Sequence, residues 1–124
     1  MVDSSTTLCG QAAGIEVSAA NAYAVISYDC LSGNYTFVHE IGHLIGARHD
    51  NDPTTSPRAY AHGYVYSPGS WRTIMAVNSN TCCTRQGFFS NPSRSFNGVA
   101  TGTASRNDNA RVWTLRRTAV AAFR

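Results

Sequence analysis

One stretch constrains this chain more than any other: His39-Glu40-Ile41-Gly42-His43-Leu44-Ile45-Gly46-Ala47-Arg48-His49-Asp50. Two histidines four residues apart lie one above the other on a helix, so both imidazoles can reach a single ion. Glu40 projects from a neighbouring strip of the same helix and can touch a water held by that ion without ligating it. Gly46 lets the helix stop and the chain swing round, because glycine accepts the positive φ of a C-terminal turn. The swing returns His49 as a third ligand. The pattern H-E-x-x-H-x-x-G-x-x-H therefore reads as a metal site with an open coordination position. Three imidazole ligands make one zinc ion the expected occupant.

The helical wheel agrees without reference to the motif. At about 100° per residue, with Phe37 at zero, Ile41, Leu44 and Ile45 fall near 40°, 340° and 80°, while His39 and His43 fall near 200° and 240°. One face is apolar and suited to a core; the other presents ligands to a cleft. Ser32, Gly33 and Asn34 supply turn and N-cap chemistry, which predicts a helix start near Asn34 or Tyr35.

At 124 residues the chain has room for one small domain, and 43% hydrophobic residues allow it a real core. The ten basic residues are all arginine and the formal charge is only +3. Five of those arginines (Arg106, Arg111, Arg116, Arg117 and Arg124) crowd the C-terminal helix rather than an aromatic-studded strip, which reads as a solvated face rather than a nucleic-acid surface. No stretch approaches the roughly 20 apolar residues of a membrane span. Cys9, Cys30, Cys82 and Cys83 fit no zinc spacing, so they read as disulfides of an exported protein. Of the three connectivities, Cys9–Cys30 with Cys82–Cys83 is favoured, because the first bridge ties the segment entering the helix to the chain before it. Met1-Val2-Asp3-Ser4-Ser5 is no signal peptide, so the expected location is outside the cell with the targeting segment absent from this sequence.

Along the chain, residues 1–14 read as a loop leading into a short edge strand, and Ala22–Asp29 as the best strand. Residues 50–57 form a loop with two prolines, Tyr60–Tyr66 a short extended piece, and Trp71–Val77 an apolar run ending in a turn at residues 78–80. Ser105-Arg106-Asn107-Asp108 resembles a capping box that opens a last helix to about Ala122, with Val112, Leu115, Ala119 and Phe123 on its stripe and Trp113 and Val120 beside it. The expected architecture is α+β: a few-stranded sheet packed on the metal-binding helix, a long irregular segment and a C-terminal helix.

A metal held by three neutral imidazoles acidifies a water and polarises a carbonyl, and Glu40 is placed to take the water's proton and return it to a leaving amine. That is the equipment of a peptide-bond hydrolase. A purely structural zinc would want a fourth protein ligand, which Asp50 or His62 could supply, but Glu40 would then be unexplained. Asp50 reads instead as a hydrogen-bonding support behind the ligands, and His62 as a loop histidine. Asp50 and Asp52 are too sparse to establish a calcium site.

These residues, with Thr73-Ile74-Met75-Ala76 downstream, resemble the metzincin metalloendopeptidases, whose signature joins the long zinc motif to a methionine turn. The resemblance implies that Met75 forms a hydrophobic floor under the three histidines. Trp71-Arg72-Thr73-Ile74-Met75-Ala76, Phe89-Ser90-Asn91-Pro92 and Asn109-Ala110-Arg111-Val112 are similar, more narrowly, to bacterial peptidyl-Asp metalloendopeptidases and related reprolysin-like proteins. That likeness runs from about Leu8 to Arg124 and implies a protein or peptide substrate with an acidic side chain beside the scissile bond. Such a side chain needs a cation, and of Arg72, Arg85 and Arg94 the first is favoured because it adjoins the methionine turn.

The sequence departs from the family in two ways. Metzincin catalytic domains carry further strands and a long helix ahead of the edge strand, so residues 1–124 read as part of one such domain, for which a partner chain, a swapped dimer or a naturally reduced fold could compensate. Several metzincins also have a tyrosine two residues past the turn methionine, where this chain has Val77. The competing reading from another class is a non-catalytic, zinc-stabilised binding module; cleavage that depends on Glu40 separates the two.

Overall fold

A computed structural model describes residues 9–31, 34–77 and 82–123. The first segment pairs strands β1 (Gly10–Ala12) and β2 (Ala24–Ile26) antiparallel. The run expected as one strand from Ala22 to Asp29 is shorter than that, because Tyr28–Cys30 winds into a single 3-10 turn. A Cys9–Cys30 disulfide closes this segment, with Cα atoms 5.4 Å apart, and Cys82 bonds to Cys83. The favoured pairing is thus the one present.

Helix α1 (Thr36–Ile45) carries the motif and packs against β1, β2 and the C-terminal helix. Its start differs from expectation. Asn34 and Tyr35 enter it with φ of 53° and 59°, and no side chain caps it. Ser32 and Gly33, and the turn expected at residues 78–80, lie outside the described residues, as do residues 1–8. Leu44 and Ile45 are buried as the wheel requires, and so are His39, Glu40 and His43 on the other side. Phe37, by contrast, is 51% exposed, beside exposed Val38 and Tyr35. The apolar stripe is covered only from Ile41 onward.

Strands β3 (Val65–Tyr66), β4 (Trp71–Arg72) and β5 (Thr84–Arg85) form a small mixed sheet, antiparallel between β3 and β4 and parallel between β4 and β5. Trp71 is buried with its ring 5.3 Å from Tyr66 and 5.5 Å from Phe96, which pins this sheet to the hairpin of β6 (Ser95–Phe96) and β7 (Val99–Ala100).

Helix α2 (Asn109–Ala121) begins at Asp108, whose carboxylate accepts from the Arg111 amide, rather than at the Ser105 box. Its buried stripe also differs from expectation. Val112 packs with Ile45 and Ala61, joined by Trp113 and Val120, while Leu115 is 55% exposed and Ala119 lies on the solvent side. The face that turns inward is set by Arg116, which lies one turn beyond Val112. Its guanidinium donates to the carbonyls of Ile45 at 3.1 Å and Val17 at 3.0 Å. Glu16, paired with Arg58 and 3.8 Å from Arg116, completes this clamp on the end of α1. The result is the expected α+β arrangement, with sheets smaller than a few-stranded sheet implies. No helix of the described residues is long and apolar enough to cross a membrane.

Candidate metal centre

The helix spacing stacks His39 and His43 on one face of α1, and Gly46 then ends the helix at φ +133°. A side chain there would stand 3.0 Å from Val112 Cγ1, so glycine serves both the turn and the contact with α2. The chain reverses, with the Ala47 amide donating back to the Gly42 carbonyl at 2.9 Å. Arg48 is next fixed by its backbone, which accepts from Gly63 and donates to Ala61. This pairing delivers His49 to the two helical histidines.

Each helical imidazole is oriented by a carbonyl. His39 Nδ1 donates to Ile74 O at 2.7 Å and His43 Nδ1 to Ala47 O at 2.9 Å. Because a carbonyl only accepts, both Nδ1 atoms carry the proton and both Nε2 atoms present bare lone pairs. Those lone pairs point at His49 Nε2, at 3.0 Å from His39 and 2.9 Å from His43. His49 Nε2 has at most one hydrogen, so the three nitrogens cannot satisfy one another. A cation among them can. Tetrahedral zinc would hold such nitrogens roughly 3.3 Å apart, close to what is found. The three histidines form the one group of its kind among the described residues able to hold a metal ion.

Burial keeps the triad neutral, as metal ligation requires. Desolvation, then the neighbouring His43, push His39 down to about 3; desolvation, then His49, push His43 down to about 4; His49 is lowered by burial as well. Glu40 is buried too, and its carboxyl is raised by desolvation, opposed by a hydrogen bond from the Ala12 backbone and by Arg85. A Cβ on Gly10 would stand 3.0 Å from Glu40 Cγ, so β1 lies directly over this carboxyl.

These groups line one open cleft of about 430 Å³, shared by His39, Glu40, His43, His49, Val77 and Arg85. Met75 is fully buried beneath α1, where a Cβ on Gly42 would meet its Sδ at 2.6 Å. Asp50 accepts from the Val77 amide at 2.7 Å, tying the end of the motif to the segment after Met75. His62 is fully buried with Nδ1 donating to Ala59 O, and it does not join the triad. Arg72 does not line the cleft; its Nη1 donates to Ala76 O at 3.0 Å. Arg94 stacks on the Phe88 ring, 4.9 Å from its centroid. The orienting carbonyls of Ile74 and Ala47, and the close approach of Gly63 to residues 75–76, carry no side-chain signal that a sequence reading can find.

The sequence model of metallo-peptidase family M12 (Reprolysin_5) matches residues 1–90. A peptidyl-Asp metalloendopeptidase of Stenotrophomonas maltophilia (strain R551-3) is 51% identical over 124 residues, which is 96% of this chain and 30% of that protein. One from Xanthomonas campestris pv. campestris is 50% identical over 126 residues, covering 100% of this chain and 30% of the relative. One from Pseudomonas fragi is 46% identical over 98 residues, 77% of this chain and 63% of the relative. The chain thus spans about 30% of the length of the first two. No solved structure matches it.

Proposed function

Because the chain belongs to metallo-peptidase family M12, we propose that it is the metal-binding part of a secreted zinc endopeptidase that favours an acidic residue beside the scissile bond. The observation that carries this reading is the convergence of three oriented, neutral imidazoles beside a buried glutamate in an open cleft. His39, His43 and His49 would hold the ion through Nε2. Zinc there would supply a Lewis acid for the scissile carbonyl and for a water. Glu40 would accept a proton on its carboxylate from the attacking water and deliver it to the leaving amine. Its burial favours this shuttling, since desolvation raises the carboxyl's affinity for a proton. Thr73–Ala76 serves as the methionine turn: Met75 packs under the helix while the Ile74 carbonyl holds His39.

The preference for acidic residues follows the names of the relatives. Export is supported by two disulfides in so short a chain. The exposed Phe37, Val38 and Tyr35 on α1 support further polypeptide, from the same protein or a partner, over that face.

The test is a comparison of the zinc-loaded chain with Glu40→Gln on a denatured protein and a peptide library, with and without a chelator. Cleavage that the chelator stops, and that falls at least about 100-fold in a variant still binding one zinc, supports the enzyme. One tightly bound zinc with no cleavage leaves the binding module as the function.

A further inference from the structure

We infer that Arg85 is the group that reads a carboxylate side chain of the peptide in the cleft, the role that residue order alone gives to Arg72. The inference rests on the peptidase reading above and supplies its specificity residue.

Position singles Arg85 out. Among the described arginines it is the one that lines the cleft with His39, Glu40, His43 and His49. Elsewhere, Arg48 pairs with Asp52, Arg58 and Arg116 with Glu16, Arg94 lies on Phe88, Arg111 on Tyr60 and Arg106 on the carbonyls of Asp50 and Asp52, while Arg117 stands on the exposed face of α2. Arg72 is the in-register neighbour of Arg85 across β4 and β5 and shares the Ala76 carbonyl with it, but it does not line the cleft.

The anchoring of Arg85 is that of a fixed cation held by backbone carbonyls rather than by an ion pair. Nη1 donates to Asn34 O at 3.0 Å and Nη2 to Ala76 O at 3.3 Å, which sets the guanidinium plane without neutralising it. Nε is buried with no partner. A guanidinium has five N–H groups, so donors remain for a ligand. The described ion pairs do not include Arg85. Burial first, and the Arg72 charge second, depress its pKa to about 10, opposed by Glu40. The charged groups that act on it are thus Arg72, its like-charged strand neighbour, and Glu40, which shares the cleft lining, while Asp52 on the lining is already held by Arg48. A substrate carboxylate brings the missing anion and matches the planar fork. An asparagine of the same shape does not.

The experiment uses the zinc-loaded chain and a peptide set in which one aspartate is moved along the sequence, each member with an asparagine twin. Binding is measured by calorimetry on Glu40→Gln and cleavage by mass spectrometry on the wild type. At one position the aspartate peptide should be favoured roughly 10- to 100-fold, the worth of one charge-assisted hydrogen bond. The ratio should collapse in Arg85→Gln, survive in part in Arg85→Lys, and stay intact in Arg94→Gln. Equal binding of the twins by wild type, or no binding of either, overturns the inference. So does an undiminished ratio in Arg85→Gln or Arg85→Lys that melts as wild type and holds one zinc. An Arg85-dependent preference in binding with no cleavage by the wild type upholds carboxylate recognition and removes the peptidase reading instead.

Discussion

Replacing Gly63 by alanine probes how closely the segment after His62 supports the metal centre. A Cβ at this position would lie 2.6 Å from Ala76 N, 2.7 Å from Met75 C and 3.0 Å from Met75 O. These are backbone atoms, so no rotamer change makes room. Reaching ordinary contact requires the two strands of chain to part by roughly 0.8 Å in a packed interior. Both are tethered. Gly63 donates to Arg48 O at 3.0 Å and accepts from Asn107 Nδ2 at 2.7 Å, while the facing turn is held by Ile74 N on Phe88 O and Val77 N on Asp50 Oδ1. Giving up one or two of these bonds, with the accompanying repacking, costs about 2 to 4 kcal/mol. That is a fall in Tm of roughly 10 °C for a domain of this size. The same displacement moves the Ile74 carbonyl off His39 Nδ1, and loss of such an orienting partner weakens metal binding about 10- to 100-fold. Gly98→Ala is the contrast. It has φ +79° but nothing within 4 Å, so it should cost about 1 kcal/mol of backbone strain and leave the metal affinity alone. Thermal melting and competition titration with a zinc chelator read the two quantities separately. A Gly63→Ala chain that melts and binds zinc as the wild type does refutes the reasoning.

Two further outcomes follow from other parts of the molecule. Arg116→Ala removes the donors that hold Ile45 O and Val17 O and leaves Glu16 with Arg58 alone, so it should destabilise by about 1 to 3 kcal/mol, read by urea denaturation. Arg117→Ala, on the exposed face of α2, should change little in the same assay. With metal stripped, His39 and His43 stay neutral in the fold down to about 3 and 4, while the unfolded chain takes up those protons near 6.5. Folded pKa values below the unfolded ones mean stability that is present above about pH 6.5 and lost as pH falls towards 4, at up to about 2.7 kcal/mol per pH unit for two protons. Denaturation of the apo chain at a series of pH values should show that loss, and a flat profile would refute the burial of the triad.

The motif was legible because its geometry is local. Spacings of four residues on a helix and a glycine at its end specify where His39, His43 and Gly46 go, and the structure adds only the route by which His49 returns. The Cys9–Cys30 bridge was legible for a similar reason, since it joins segments that must both meet the start of α1. What could not be read is what depends on partners distant in sequence. The wheel gives α1 an apolar face, but whether Phe37 is covered depends on what stands beside it, and it is 51% exposed. The stripe of α2 reads through Leu115 in the sequence, yet Arg116 turns inward because the carbonyls of Ile45 and Val17 accept from its guanidinium. Asp108 displaces Ser105 as the cap because its own amide is engaged by Tyr60 O, which fixes where the helix begins.

Whether Arg72 or Arg85 meets the cleft depends on the same kind of distant contact: the two are in-register neighbours on β4 and β5, and β5 lies at the sheet's edge, where its arginine joins the cleft lining. All three imidazoles come from eleven consecutive residues, 39 to 49. Yet His39 is aimed by residue 74, His49 arrives through the pairing of residue 48 with 61 and 63, and α1 is clamped from residue 116. Each ligand thus hangs on a different long-range contact. An ion shared by the three links those contacts into one closed set, so its binding energy stabilises loops that otherwise meet only through backbone hydrogen bonds. Loosening any one of them, as Gly63→Ala does for residues 74 and 48 together, should therefore be felt in metal affinity before it is felt in the helix itself.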